Sequence, residues 1–209
     1  MNSSTRASVF WVALGFYVAF LFLWTVSHAL SDLHTTRYAL YFDWETTIAF
    51  RGWALSLYFS LDLAVILFPF VFCSMRDALP PVGTLLAQTA IAVPFFVFIP
   101  LDVGFQNDMQ TGIWGTYFFD PLGLENMSQW NHIPSLHVAY AYTIAWVIGR
   151  RYGAIQTCIG LVWATSVSIS TMLVHEHHLI CILSGFALFL ITILTIHRWL
   201  HKWYVVHLQ

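Results

Sequence analysis

The sequence predicts an all-α integral membrane protein, a single domain over 1–209 built as a six-transmembrane-helix bundle, and three observations carry this. Of 209 residues, 59% are hydrophobic and only 9% charged, where a soluble domain carries about 25% charged residues. The apolar residues fall into six runs of bilayer-crossing scale, about 8–30, 53–74, 79–101, 134–149, 152–174 and 178–197. Short charged or Pro- and Gly-bearing segments separate them. The net charge of −2 and the absence of any basic run leave no footprint for nucleic acid. Cys73, Cys158 and Cys181 lie in or beside apolar stretches without CxxC spacing, which argues against a disulfide framework or a thiolate metal site.

The first run, 7–31, has no formal charge. It also has the look of a signal sequence, but no small-residue cleavage pattern stands out, so a retained span is expected. Residues 32–51 hold Asp43, Trp44 and Glu45 and suit an extramembrane loop with Trp44 at headgroup level. The second span, 52–75, contains one acid, Asp62, expected to be a carboxyl hydrogen-bonded to a neighbouring helix. Arg76 and Asp77 form a turn ended by Pro80 and Pro81, and the third span runs over 78–101 with a kink expected at Pro94. From 102 to 132 there are four acids, no Lys or Arg, and glycines at 104, 112, 115 and 123, the composition of an ordered external loop. Pro134 opens the fourth span, Arg150 and Arg151 make the next turn, and spans five and six follow at 152–174 and 179–196.

Six spans put both termini on one side, and the basic residues choose it. Arg6, Arg76, Arg150, Arg151, Arg198 and Lys202 fall in the tails and turns of one side, with only Arg37 and Arg51 opposite. The positive-inside rule then makes both termini cytoplasmic. His137 and His177 come to the outer side, at the tops of spans four and six.

Two clusters hold the candidate chemistry: Asn131-His132-Ile133-Pro134-Ser135-Leu136-His137, and Ser170-Thr171 followed by His175-Glu176-His177-His178. A helix N-terminus presents unpaired N–H groups that suit an anion, and Ser135 adds a hydroxyl. Cleaving a phosphoester through a phosphohistidine needs one imidazole as nucleophile, another as acid for the leaving oxygen, and donors around the phosphoryl group.

Pro134-Ser135-Leu136-His137, together with Ser170-Thr171 and His177 beyond five intervening residues, resembles the second and third signatures of the type 2 phosphatidic acid phosphatase superfamily. The PSLH form is similar to its branch of inositol phosphorylceramide and sphingomyelin synthases. The segments 50–53 and 99–101 resemble the family more weakly. The resemblance implies a metal-independent enzyme with no cofactor, His177 as nucleophile and His137 as acid. It places Ser135, Ser170, His132 and Arg51 on the phosphate, Arg51 as the basic residue near the site on the outer side. Where the family has an aspartate that orients the nucleophilic histidine, this chain has Cys181; the arginine of the phosphatase form is Thr171; the first signature is at best 102–108. Loss of such an orienting carboxylate costs about 10⁴ in turnover in a serine triad. If span six is helical from His177, Cys181 shares its helix face, and Cys181→Asp is then expected to raise activity. Glu176 is the alternative orienting group.

Other readings stand beside this one. The two histidines could be ordinary helix-end residues bonded to backbone. His132-x4-His137, His175-x-His177-His178 and His197-x3-His201 also resemble the histidine boxes of membrane di-iron desaturases. Topology opposes that, because His197 and His201 fall at the cytoplasmic end. The expected function is therefore a lipid phosphatase or phosphotransferase acting on a lipid phosphoester at the outer leaflet. The alternative is a catalytically degenerate relative that binds a lipid or a membrane protein.

Overall fold

The computed structural model describes residues 3–102, 104, 105 and 130–207, so most of the expected 102–132 loop, including Asn107 and Asp108, lies outside the described residues. The described chain is helical, with one isolated bridge between Tyr38 and Leu101. The main helices are α1 (Ser3–Asp32), α2 (Leu55–Leu67), α3 (Met75–Phe98), α4 (Leu136–Tyr152), α5 (Ala154–Leu173) and α6 (Leu179–Thr192). A π-helical turn, Ile193–His197, joins α6 to α7 (Arg198–His207). Five stretches among the described residues are long and apolar enough to cross a membrane: Ala7–Asp32, Gly52–Val71, Met75–Phe98, Ala154–Leu173 and Leu179–Tyr204.

The exception is α4. Its 17 residues span only about 25 Å, and it carries Tyr, Thr, His and two Arg residues. Ten of the 17 are buried, because α4 packs against α2, α3, α5 and α6. Helix neighbours cover most of it, so those faces pack on protein whatever surrounds the bundle.

Several boundaries differ from the sequence expectation, each for a local reason. Ser74 caps α3 by accepting from the Asp77 N–H at 3.2 Å, so Arg76 and Asp77 lie in its first turn, not in a loop. Pro80 and Pro81 lie inside the helix; the carbonyls they leave unbonded belong to Arg76 and Asp77, both exposed. Arg150 and Arg151 complete the last turn of α4, where cations favour the helix dipole. The turn itself falls on Gly153, at φ 109°, a conformation that side chains disfavour. Pro134 does not open α4: Ser135 is the cap, and Pro134 precedes it through a cis peptide bond. Asp62 is exposed on α2 and makes no hydrogen bond with described residues, contrary to the expected tie to a neighbouring helix.

The segments that follow α1 and α3 and precede α2, α4 and α6 gather at one end. Tyr38 exchanges backbone hydrogen bonds with Pro100 and Asp102, Leu101 N–H donates to Trp130, Arg51 N–H to Leu173, and Ser135 N–H to Cys181. At the opposite end Arg151 lies 5.6 Å from the Phe72 ring, and Thr84 meets His197 Nδ1 at 3.1 Å.

Small residues set the helix approaches near the site. On Gly185 of α6, a methyl group would run into the Ser135 carbonyl and stand 3.0 Å from the Val138 Cβ. Gly185→Ala is therefore expected to destabilise the bundle by about 1–3 kcal/mol through overpacking, read as a fall in melting temperature in detergent. Gly15, with nothing within 4 Å of an added methyl, is the control: Gly15→Ala should cost no stability.

Candidate active site

The 174–178 turn positions the second histidine cluster. Val174 ends α5, His175 takes a left-handed conformation at φ 62°, Glu176 N–H reaches back to the Thr171 carbonyl at 2.9 Å, and His175 N–H to Met172 at 3.1 Å. This is the paired bonding of a Schellman stop, with histidine where glycine is usual. Contacts of the imidazole offset the backbone cost: Nε2 lies 2.8 Å from the Ile48 carbonyl, and the ring stacks on Phe105 at 4.3 Å. His177 N–H also donates to Thr171, so the turn folds back over the end of α5.

Helix α6 then starts at Leu179, with His178 as its N-cap residue. The expected i, i+4 relation between His177 and Cys181 is thus absent, because His177 stands outside the helix. Cys181 is fully buried, its carbonyl receives the Ser135 N–H, and Glu45 is close enough to act on its thiol. Cys181→Asp would place a second carboxylate near Glu45 at a fully buried position. The variant is now expected to lose thermal stability without gaining turnover, and a rise in phosphate release would refute this.

Glu45 is the buried acid of the site, unmarked as such in the sequence reading. Its Oε2 accepts from His178 Nδ1 at 2.9 Å and from Leu179 N–H at 2.8 Å, and its Oε1 accepts from Phe42 N–H at 3.0 Å. Burial opposes its charge, but the two backbone donors and His178 outweigh that and hold the carboxyl below its ordinary range. Tyr41 and Phe105 stack on the His178 ring at 4.7 and 4.4 Å.

His137 projects from the first turn of α4, and its ring centroid lies 5.8 Å from that of His177. His132 stands edge-on to His177 at 5.4 Å. His137 Nε2 and His177 Nδ1 are buried and have no hydrogen-bond partner among the described residues. The His177 ring bonds the His132 carbonyl, which with Nδ1 unpartnered assigns that bond to Nε2. Burial, reinforced by the surrounding histidines, pushes the His177 imidazole well below its ordinary value, so the ring is neutral near pH 7. The two rings thus stand 5.8 Å apart at an interplanar angle of 61°, each with one nitrogen that no described residue bonds.

The remaining expected site residues divide. Ser135 is fully buried and caps α4 by accepting from Val138 N–H at 3.4 Å, which leaves its hydroxyl hydrogen available to donate. Ser170 spends its hydrogen on the Val167 carbonyl at 2.7 Å. Arg51 is exposed; its backbone is tied to Leu173, four residues before His177. His197 and His201 sit more than a dozen residues along α6 and α7 from His177, roughly 30 Å away, and no three His, Cys, Asp or Glu side chains among the described residues are grouped to hold a metal. Tyr58, which stacks on His137 at 4.2 Å, was not expected in the site. Comparisons with protein-family models, with curated proteins and with solved structures found no match.

Proposed function

We propose that this chain is a metal-independent lipid phosphatase or phosphotransferase working through a phosphohistidine, as the sequence resemblance implies. Six spans would carry the site to the outer leaflet, with both termini cytoplasmic. The supporting observation is the pair of neighbouring imidazoles, His137 and His177, each with a buried ring nitrogen that has no partner among the described residues, at the end of a bundle of apolar helices.

In this reading the neutral His177 attacks phosphorus through Nδ1. The P–O bond to the leaving group breaks as His137 gives that oxygen its proton. The imidazole bearing the phosphoryl group gains positive charge, which the His132 carbonyl supports through Nε2–H. Water or an acceptor hydroxyl then returns a proton to His137 and displaces His177 from phosphorus, giving phosphatase or transferase chemistry respectively. A phosphate against the His137 edge favours its protonated form, so substrate prepares its own acid.

The test uses full-length protein in detergent, a panel of lipids labelled in the phosphate, and rapid denaturation. Labelled protein stable to base and labile to acid, absent in His177→Asn, is the expected result. Turnover without such an adduct would refute the mechanism. The Ser170 donor spent on its own helix favours a second reading, a degenerate binder, for which lipid would bind without any release of phosphate.

A further inference from the structure

An acid that must give up a proton and take it back needs one orientation in two charge states. His137 lies face to face with Tyr58 at 4.2 Å and an interplanar angle of 22°. Such a stack fixes the ring plane while leaving the ring-edge nitrogens open, and the face of a phenol ring favours a cation over a neutral ring. The Tyr58 hydroxyl sits against the Glu176 carboxyl, on the same turn that carries His177. Neither Tyr58 nor Glu176 has a part in the chemistry above.

We propose that Tyr58 is a positioning residue for His137, and that Glu176, acting through Tyr58, favours the protonated state of that imidazole. The role in catalysis rests on the phosphohistidine reading; the pairing of the three side chains does not. Among the described residues the titratable groups around Glu176 are few. Tyr58 meets it from α2, Asp62 acts on Tyr58 from one turn further along that helix, His137 lies across the Tyr58 ring from α4, and His132 and His177 adjoin His137. Burial pushes the Glu176 carboxyl up to about 7, with Tyr58 working the other way, so its charge changes near neutrality. Tyr58 also explains why Glu176 is not the orienting group for His177: its carboxyl is turned to α2.

The experiment follows acylation of His137 by diethyl pyrocarbonate, which attacks only the unprotonated imidazole, resolved by peptide mass spectrometry across pH on full-length protein in detergent. Glu176→Gln removes the charge and keeps an acceptor for Tyr58. It should lower the pH midpoint of His137 acylation by about one pH unit, the scale of one nearby charge in a partly buried site. The limb of the kcat profile that reports the acid should move with it while KM stays unchanged. Tyr58→Phe keeps the ring on His137 and cuts the hydroxyl link, so it should shift the midpoint the same way even if Glu176→Gln fails to fold. Tyr58→Leu should expose His137 to faster acylation at every pH. A midpoint equal to that of the wild type in the variants that fold would overturn the proposal. A shifted midpoint in a protein that releases no phosphate from any lipid would uphold the pairing and refute the functional reading instead.

Discussion

Replacing His177 with asparagine is expected to lower lipid phosphate turnover by about 10⁴-fold or more, the scale on which removal of a covalent nucleophile acts. The fold should survive, because the contact of His177 that shapes its turn is made by the backbone N–H to Thr171. In the proposed mechanism His137, on the first turn of α4, does not take over, because it serves as the acid. A fall of tenfold or less, measured as initial phosphate release, would remove His177 from the reacting position. The same variant carries a stability signature. The folded state holds the His177 imidazole below its ordinary 6.5, so that contribution is present above about 6.5 and is lost as pH falls. Glu176 runs the other way, since its folded value of about 7 stands above the usual 4.5. Its contribution is full below 4.5 and is lost as pH rises through 7. His177→Asn should therefore flatten the acid limb of the melting temperature against pH and leave the alkaline limb in place.

The helical, membrane-crossing class was legible because apolar runs and the scarcity of charge are properties of composition, and helices in lipid must satisfy their own backbone. The approach of His137 to His177 was legible too, since helices that follow one another in sequence bring their ends together. The polar α4 marks the limit: it falls outside the five stretches long and apolar enough to cross a membrane, yet ten of its 17 residues are buried among other helices. Local chemistry misled at both ends of the site. A histidine at φ 62° closes the Schellman turn where glycine would have announced it, and that turn moves the start of α6 past His177. Cys181 therefore shares no helix face with His177, since the helix starts only at Leu179. Glu45 in Asp43-Trp44-Glu45 has the sequence character of a loop acid, because nothing local marks a partner 133 residues away.

Glu45→Ala is expected to cost about 3–5 kcal/mol of stability, the scale of leaving several buried donors without their acceptor. Glu45 is 0% exposed and His178 1%. Deleting the carboxylate strands three donors at once: His178 Nδ1, the Leu179 N–H that opens α6, and the Phe42 N–H in the preceding loop. Stranded buried donors carry their full desolvation cost, whereas the net worth of each bond is smaller. Glu45→Gln separates charge from geometry. Its amide oxygen can still accept from Leu179, but its NH₂ group cannot accept from Phe42, so part of the loss should remain. Acid provides a third route to the same state: the carboxyl lies below its ordinary 4.5 when folded, so its contribution is held above that value and lost as pH falls through the lower one. Wild type should thus converge on Glu45→Gln in melting temperature at strongly acid pH and exceed it near neutrality. A double-mutant cycle with His178→Ala reads the pair alone, and a coupling near zero would mean that Glu45 stabilises the chain through the α6 terminus and the 42–45 turn, with His178 a bystander.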